Sequence, residues 1–286
     1  MNIWINGELL NAAAPTLPAI SAGATLGWGV YTTAAVWHGQ VFALSRHLQR
    51  LRHDAARADI PLAYDDETLH RAVTAVLTDN QVQHGLLRIT LLRRGDGRWN
   101  DAQGSDLFMI SRPHSPDYDD PSTQRLRLVL SPFRIEARRA LSGVKSTSYG
   151  DYQLAWQQAT RAGFDETVLC NGSGALCECA RANLFWVRDG RLFTPSLDSG
   201  CLPGIARELA LRWAGEDGIT CKEGLFSMHE LAAADEVFLT AATQGPRAVQ
   251  SFALGAEDES PYPFCAPGEI TAMLQKRWQQ AVHART

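Results

Sequence analysis

Residues 113 to 124, PHSPDYDDPSTQ, hold three prolines and three aspartates and show no apolar period. A stretch of this kind starts turns and sustains neither helix nor strand, so it reads as a linker. It parts the chain into residues 1–113 and 125–286, joined by 114–124. On both sides short strand-like runs alternate with helical ones, the pattern of an α+β fold. Two such domains with a cleft between them is the simplest architecture, and 286 residues suffice for it.

In the first domain IWINGELL predicts a hairpin on Asn6-Gly7, and GVYTTAAVWHGQVFAL a second strand pair around His38-Gly39. Ser45 is the expected N-cap of a helix with Leu44, Leu48, Leu51, Ala55 and Ala58 as its buried stripe. ETLHRAVTAVLTD predicts a second helix, and GLLRITLLRR and DLFMISR predict strands. In the second domain RLRLVLSPFRI, ETVLC, ALCECA, NLFWV, RLFTP and EVFLTAA read as strands. Helices are expected over 151–162, after LPG and at the C-terminus, while TAATQGPRAV reads as a loop.

Of 27 basic residues only Lys145, Lys222 and Lys276 are lysines. A chain that otherwise writes Arg, yet keeps Lys145 among small, hydroxylated and aromatic residues in LSGVKSTSYGDY, calls for an amine that can lose its proton; a guanidinium cannot. Such a lysine can serve as a Schiff-base nucleophile and then as a proton shuttle. A helix-capping lysine, or one paired with Asp151, is the plainer alternative. Lys276 belongs to a solvated helix face and Lys222 to a strand end near solvent.

Glu178, between two cysteines in CECARANLFWV, is costly to bury without a partner. A protonated ring nitrogen on a cofactor is one partner, and Arg181 is another. Asn183 is placed to order the turn that follows. Pro203-Gly204 leads into an amphipathic helix whose free N–H groups suit a phosphate. Thr240 to Thr243, small residues at a strand end, offer a second approach to an anion, with Arg50 as a charged donor. A Schiff-base lysine, an acid for a ring nitrogen and phosphate donors together form the set that pyridoxal phosphate needs.

These motifs resemble the fold-type IV pyridoxal-phosphate enzymes, the class-IV aminotransferases. That group takes in branched-chain aminotransferases, D-amino acid aminotransferases and 4-amino-4-deoxychorismate lyases. WINGELL, GVYTT, RHLQRL, GVKSTSY, ECARANLFWV, the LPGIARE helix start and DEVFLTAAT carry the resemblance over nearly the whole chain. It implies a D-amino acid aminotransferase-like fold, pyridoxal 5'-phosphate in the interdomain cleft, a small-molecule amine substrate and a homodimer. It implies that Lys145 carries the cofactor, that Glu178 contacts the pyridine nitrogen, and that Arg50 binds the phosphate. The main chain at Ile205, Ala206, Ala241 and Ala242 completes the phosphate site. Family members often carry hydroxyls where this chain has Ala206 and Ala242, so only backbone donors remain there. Asn183 lies within the same cofactor-binding motif, Tyr149 matches a tyrosine near the cofactor's phenolic oxygen, and Tyr31 faces substrate.

Within the family GVYTT leans towards the lyases, with Thr32 on the substrate side and Thr33, or else Thr32, assisting proton delivery near the leaving group. STSYGDY leans the other way, since those lyases often show an Asn-Arg pair after the lysine. Arg98 is the expected carboxylate partner, with Arg94 competing. The lyase reading leads, an amino-acid transaminase follows, and a cofactor-binding protein without catalysis is third.

The remaining expectations are exclusions. A net charge of −4 gives no electrostatic case for nucleic acid or an anionic membrane. The N-terminus MNIWINGELL lacks the pattern of a signal peptide, and no run reaches a membrane span. Six cysteines without a framework point to free thiols in a reducing cytoplasm; Cys177 and Cys179 read as strand packing rather than a metal site.

Overall fold

The computed structural model describes residues 1–13, 17–95, 104–114 and 125–284. They fall into two compact units. The first holds the described residues up to 114 together with Val144–Ser148; the second holds 125–143 and 149–284. Val144–Ser148 thus leaves the 125–286 block to which the sequence assigns it. Apart from His114, the expected linker 114–124 lies outside the described residues, as does Arg98.

The first unit runs β1 (Asn2–Ile5), β2 (Glu8–Asn11), α1 (Ala22–Thr25), β3 (Gly29–Trp37), β4 (Gln40–Val41), α2 (Leu44–Arg57), α3 (Asp66–Asp79), β5 (Gly85–Arg93) and β6 (Ser105–Pro113). Its strands form one antiparallel sheet in the order β2-β1-β6-β5-β3-β4. The two expected hairpins turn where Asn6-Gly7 and His38-Gly39 take positive φ, the left-handed pair that a tight two-residue turn requires. Helix α2 starts one residue before its expected cap. Only Phe42 and Ala43 join β4 to α2, so the chain turns sharply at Ala43, φ 53°, and Ser45 caps nothing. Leu48, Leu51 and Ala55 form the expected buried stripe, but His47 and Asp54 are buried with them.

The segment Val144–Ser148 extends this sheet. Tyr31 N donates to Lys145 O at 2.9 Å and Thr147 N to Gly29 O at 2.9 Å, around the bridge Val30–Ser146. It lies along the first half of β3, on the edge that β4 covers at the other end. A Cβ at Gly29 would meet Thr147 Oγ1 at 2.7 Å, so glycine permits this approach.

The second unit runs β7 (Arg125–Ile135), α4 (Gly150–Arg161), β8 (Glu166–Asn171), β9 (Leu176–Cys179), β10 (Asn183–Arg188), β11 (Arg191–Pro195), α5 (Ile205–Glu216), β12 (Cys221–Gly224), α6 (Met228–Ala232), β13 (Glu236–Ala241), β14 (Gly245–Ala253), β15 (Tyr262–Pro263) and α7 (Glu269–His283). Its mixed sheet follows the path β12-β11-β10-β13-β14-β7-β8-β9, with β15 on β14. Both faces of the central strands are covered. Leu184 and Trp186 of β10 join Val237, Leu239, Val249 and Phe252 in one core, while Phe185 stacks on Phe238 at 5.0 Å. Burial on both faces is why NLFWV reads as an unbroken apolar run. Each such side chain contributes roughly 1.5–3 kcal/mol on burial. The expected loop TAATQGPRAV instead opens β14. Pro246 obscures the strand in the sequence, although every residue from Gly245 to Ala253 except Gln250, which sits at a bulge, pairs with a neighbouring strand. No helix among the described residues is long and apolar enough to cross a membrane.

Candidate active site

Of the three lysines only Lys145 is half-buried; Lys222 and Lys276 are exposed. Its carbonyl is held by Tyr31 N, and its own amide donates to Asp54 Oδ2 at 3.1 Å. Its amine lies 4.8 Å from the centre of the Tyr31 ring, and the Arg88 guanidinium stacks on that ring at 3.7 Å. Register explains the grouping. Tyr31 pairs with Thr90 and Thr33 with Arg88, so Tyr31, Thr33 and Arg88 share one sheet face. The Thr33 hydroxyl is half-buried and has no partner among the described residues.

Thr32, expected on the substrate side, points the other way, towards α2. It is buried, accepts from Arg50 Nη2 at 2.7 Å and lies 2.6 Å from His47 Nδ1. Since side chains alternate along a strand, Thr32 and its neighbours Tyr31 and Thr33 cannot face the same way. Thr32 therefore fixes the arginine expected to bind phosphate. Burial, then the charges of Arg50 and Lys145, push His47 well below its ordinary range, so its ring is neutral. Burial also lowers Arg50, against the opposing pull of Asp54. Arg50 Nε is buried with no partner among the described residues. Arg94, the competing carboxylate binder, is engaged by Asp106 at 2.7 Å.

In the second unit Glu178 is 6% exposed and held from both sides. Tyr152 OH donates to its Oε1 at 3.0 Å and Leu202 N to its Oε2 at 3.0 Å, with Asn183 Nδ2 at 3.5 Å. Arg181, the alternative partner, pairs instead with Glu166 at 3.2 Å. Asn183 donates to Leu202 O at 2.8 Å and so fixes the chain ahead of α5. Gly204 completes this close fit: a Cβ there would fall 2.1 Å from Asn183 Oδ1. Tyr149 donates to Ala180 O and stacks parallel to Tyr152 at 5.0 Å. Cys177 and Cys179 lie buried in β9, and burial raises both thiols. Burial likewise raises Cys201, to about 11.

A family model described as amino-transferase class IV matches residues 29–252. The chain belongs to the class-IV aminotransferases. Among its relatives is a candidate branched-chain-amino-acid aminotransferase of Methanocaldococcus jannaschii, 28% identical over 246 residues, covering 84% of each chain. The branched-chain aminotransferase of Escherichia coli superposes with a TM-score of 0.90 at 24% identity, covering 100% of this chain and 95% of that one. A candidate 4-amino-4-deoxychorismate lyase of Legionella pneumophila does so with 0.85 at 23%, covering 94% and 97%. The expected fold-type IV architecture, an enzyme, and pyridoxal 5'-phosphate as cofactor go with membership of the class-IV aminotransferases.

The residues fit that cofactor. A half-buried Arg50 whose Nε is buried and unused is a ready partner for a dianionic phosphate. Ile205 and Ala206, buried at the start of α5, present first-turn N–H groups that a helix cannot satisfy internally. Thr240 adds a buried hydroxyl without a partner among the described residues, a donor the sequence offered only as part of a small-residue stretch. Tyr152, Asp54, His47 and Arg88 were not singled out from the sequence. Only their spacing along a helix or strand could have suggested them.

Proposed function

We propose that the protein is a pyridoxal-phosphate-dependent lyase of the 4-amino-4-deoxychorismate type, forming 4-aminobenzoate and pyruvate. The observation that carries this reading is the uncommitted Thr33 hydroxyl, on the same sheet face as Tyr31 and Arg88 and in the unit that holds Lys145. A transaminase has no leaving group for such a hydroxyl to protonate.

Lys145, Arg50, Glu178, Asn183, Tyr149 and the main chain at Ile205, Ala206, Ala241 and Ala242 would hold the cofactor. When bound, it supplies an electron sink for the carbon that bears the substrate amine. Lys145 Nζ takes the proton from that carbon. Glu178 keeps a proton on the pyridine nitrogen. Thr33 Oγ1 gives a proton to the departing enolpyruvyl oxygen. Arg88, stacked on Tyr31, pairs with a substrate carboxylate in the role expected of Arg98.

An amino-acid transaminase of branched-chain or D-amino acid type is the second reading, favoured by the names of the aminotransferase relatives. It would use the same lysine and glutamate. Incubating the holoenzyme with 4-amino-4-deoxychorismate separates the two. Release of 4-aminobenzoate supports the lyase; keto acid formed from an amino acid donor, with no aromatic product, assigns the transaminase. We propose a homodimer in the cytoplasm as the working form. Family resemblance supports the dimer and six free cysteines support the reducing compartment. A solution mass of one chain would overturn the dimer.

A further inference from the structure

We infer that Asp54 is the positioning residue for Lys145, a buried acid on α2 that fixes the lysine strand beside the phosphate arginine. The strand has only two ladder bonds to β3, through Lys145 O and Thr147 N. The Lys145 amide points out of that ladder, and its partner is Asp54 Oδ2 at 3.1 Å, 91 positions away in sequence. A buried amide seldom goes without a partner. A neutral acceptor would have met that need, yet the acceptor is a carboxylate with 0% exposure. Burying a carboxylate is justified by nearby positive charge.

Three groups surround it. Arg50 precedes Asp54 by four residues, one helical turn on the same face of α2, and feels its charge. Lys145 lies close enough for its amine to act on His47, itself seven residues before Asp54. His53 Nδ1 is 3.3 Å from Asp54 Oδ1 on the solvent side. Asp54 is thus placed to balance Arg50 and to hold the lysine main chain at a set distance from the arginine's helix. Thr32 accepts from Arg50 and is itself bonded to His47. The outcome is one spacing, between a phosphate-binding cation and a nucleophilic amine, maintained by a residue that touches neither substrate nor cofactor.

The functional half of this inference rests on the proposed role of Lys145, and the test keeps the two apart. Amide hydrogen exchange is measured on cofactor-free wild type, Asp54→Ala and Asp54→Asn. Borohydride trapping of pyridoxal phosphate at Lys145, followed by peptide mapping, is timed on the same proteins. Exchange at Lys145 should speed up by about tenfold or more in Asp54→Ala, the scale of one lost charge-assisted bond. It should speed up less in Asp54→Asn, whose amide oxygen still accepts. The trapping rate should fall in the same order. If Asp54→Ala loosens the whole sheet, Asp54→Asn decides. A change confined to residues 144–148 supports the inference; one spread over β3, β5 and β6, or none at all, overturns it. Failure to trap the label at Lys145 in wild type, with the exchange pattern intact, would refute the cofactor reading and leave Asp54 as a structural tie.

Discussion

Tyr152 donates its phenolic hydrogen to Glu178 Oε1 at 3.0 Å, opposite the Leu202 amide on Oε2. Burial first, then the Glu178 charge, push the phenol far above its ordinary range, so it stays a donor at every working pH. Tyr152→Phe removes one donor while keeping the ring stacked on Tyr149. A hydrogen bond to a charged group is worth about 1.5–3 kcal/mol. We expect kcat to fall by at least about tenfold, with KM little changed, in steady-state assays of the holoenzyme.

Lys145→Ala should abolish turnover and borohydride labelling while circular dichroism reports an intact fold. Glu178→Gln should retain the cofactor and cut kcat by about a hundred- to a thousandfold, since it weakens stabilisation of developing charge typically worth about 3–4 kcal/mol. A Gln variant with wild-type kcat removes Glu178 from the reaction.

Gly204→Ala probes the turn before α5. Its φ of −70° suits any residue, so the only penalty is the collision with Asn183 Oδ1. The variant should fold, lose roughly 1–3 kcal/mol of stability to overpacking, and bind pyridoxal phosphate more weakly by equilibrium dialysis.

Arg88→Gln should raise KM for a carboxylate substrate by about tenfold or more with kcat largely kept, the sign of a lost binding contact. An unchanged KM would return the carboxylate role to another arginine.

His47 gives a pH prediction of definite sign. Its folded value lies below the ordinary 6.5, so below that pH the unfolded chain binds the extra proton first. Stability should therefore be full above about pH 6.5 and decline as pH falls below it, towards the depressed folded value. Urea titrations across that range should show the slope, and His47→Gln should flatten it.

The strands and helices with clear periods were legible in the sequence, and so were the two glycine hairpins, because each rests on local chemistry. Ser45 misled because the cap rule ignores how short the β4–α2 connection is. β14 was hidden by Gly245-Pro246, whose turn signal is local while its pairing with β13 and β7 is not. At the site, Lys145 and Glu178 stood out as residue types at odds with their surroundings. The facing of Thr32 was not legible, because register decides facing and a lone TT does not reveal register. Tyr152 and Asp54 were invisible because their partners lie 26 and 91 positions away.

Val144–Ser148 belongs to the first unit, although the residues on either side of it belong to the second. A gene fusion that swapped the halves of two related enzymes anywhere between residues 114 and 124 would therefore set a foreign Lys145 segment against a native β3. Chimeras cut there would inherit Asp54 and Arg50 from one parent and the amine from the other. The unit follows the hydrogen bonds rather than the order of the chain.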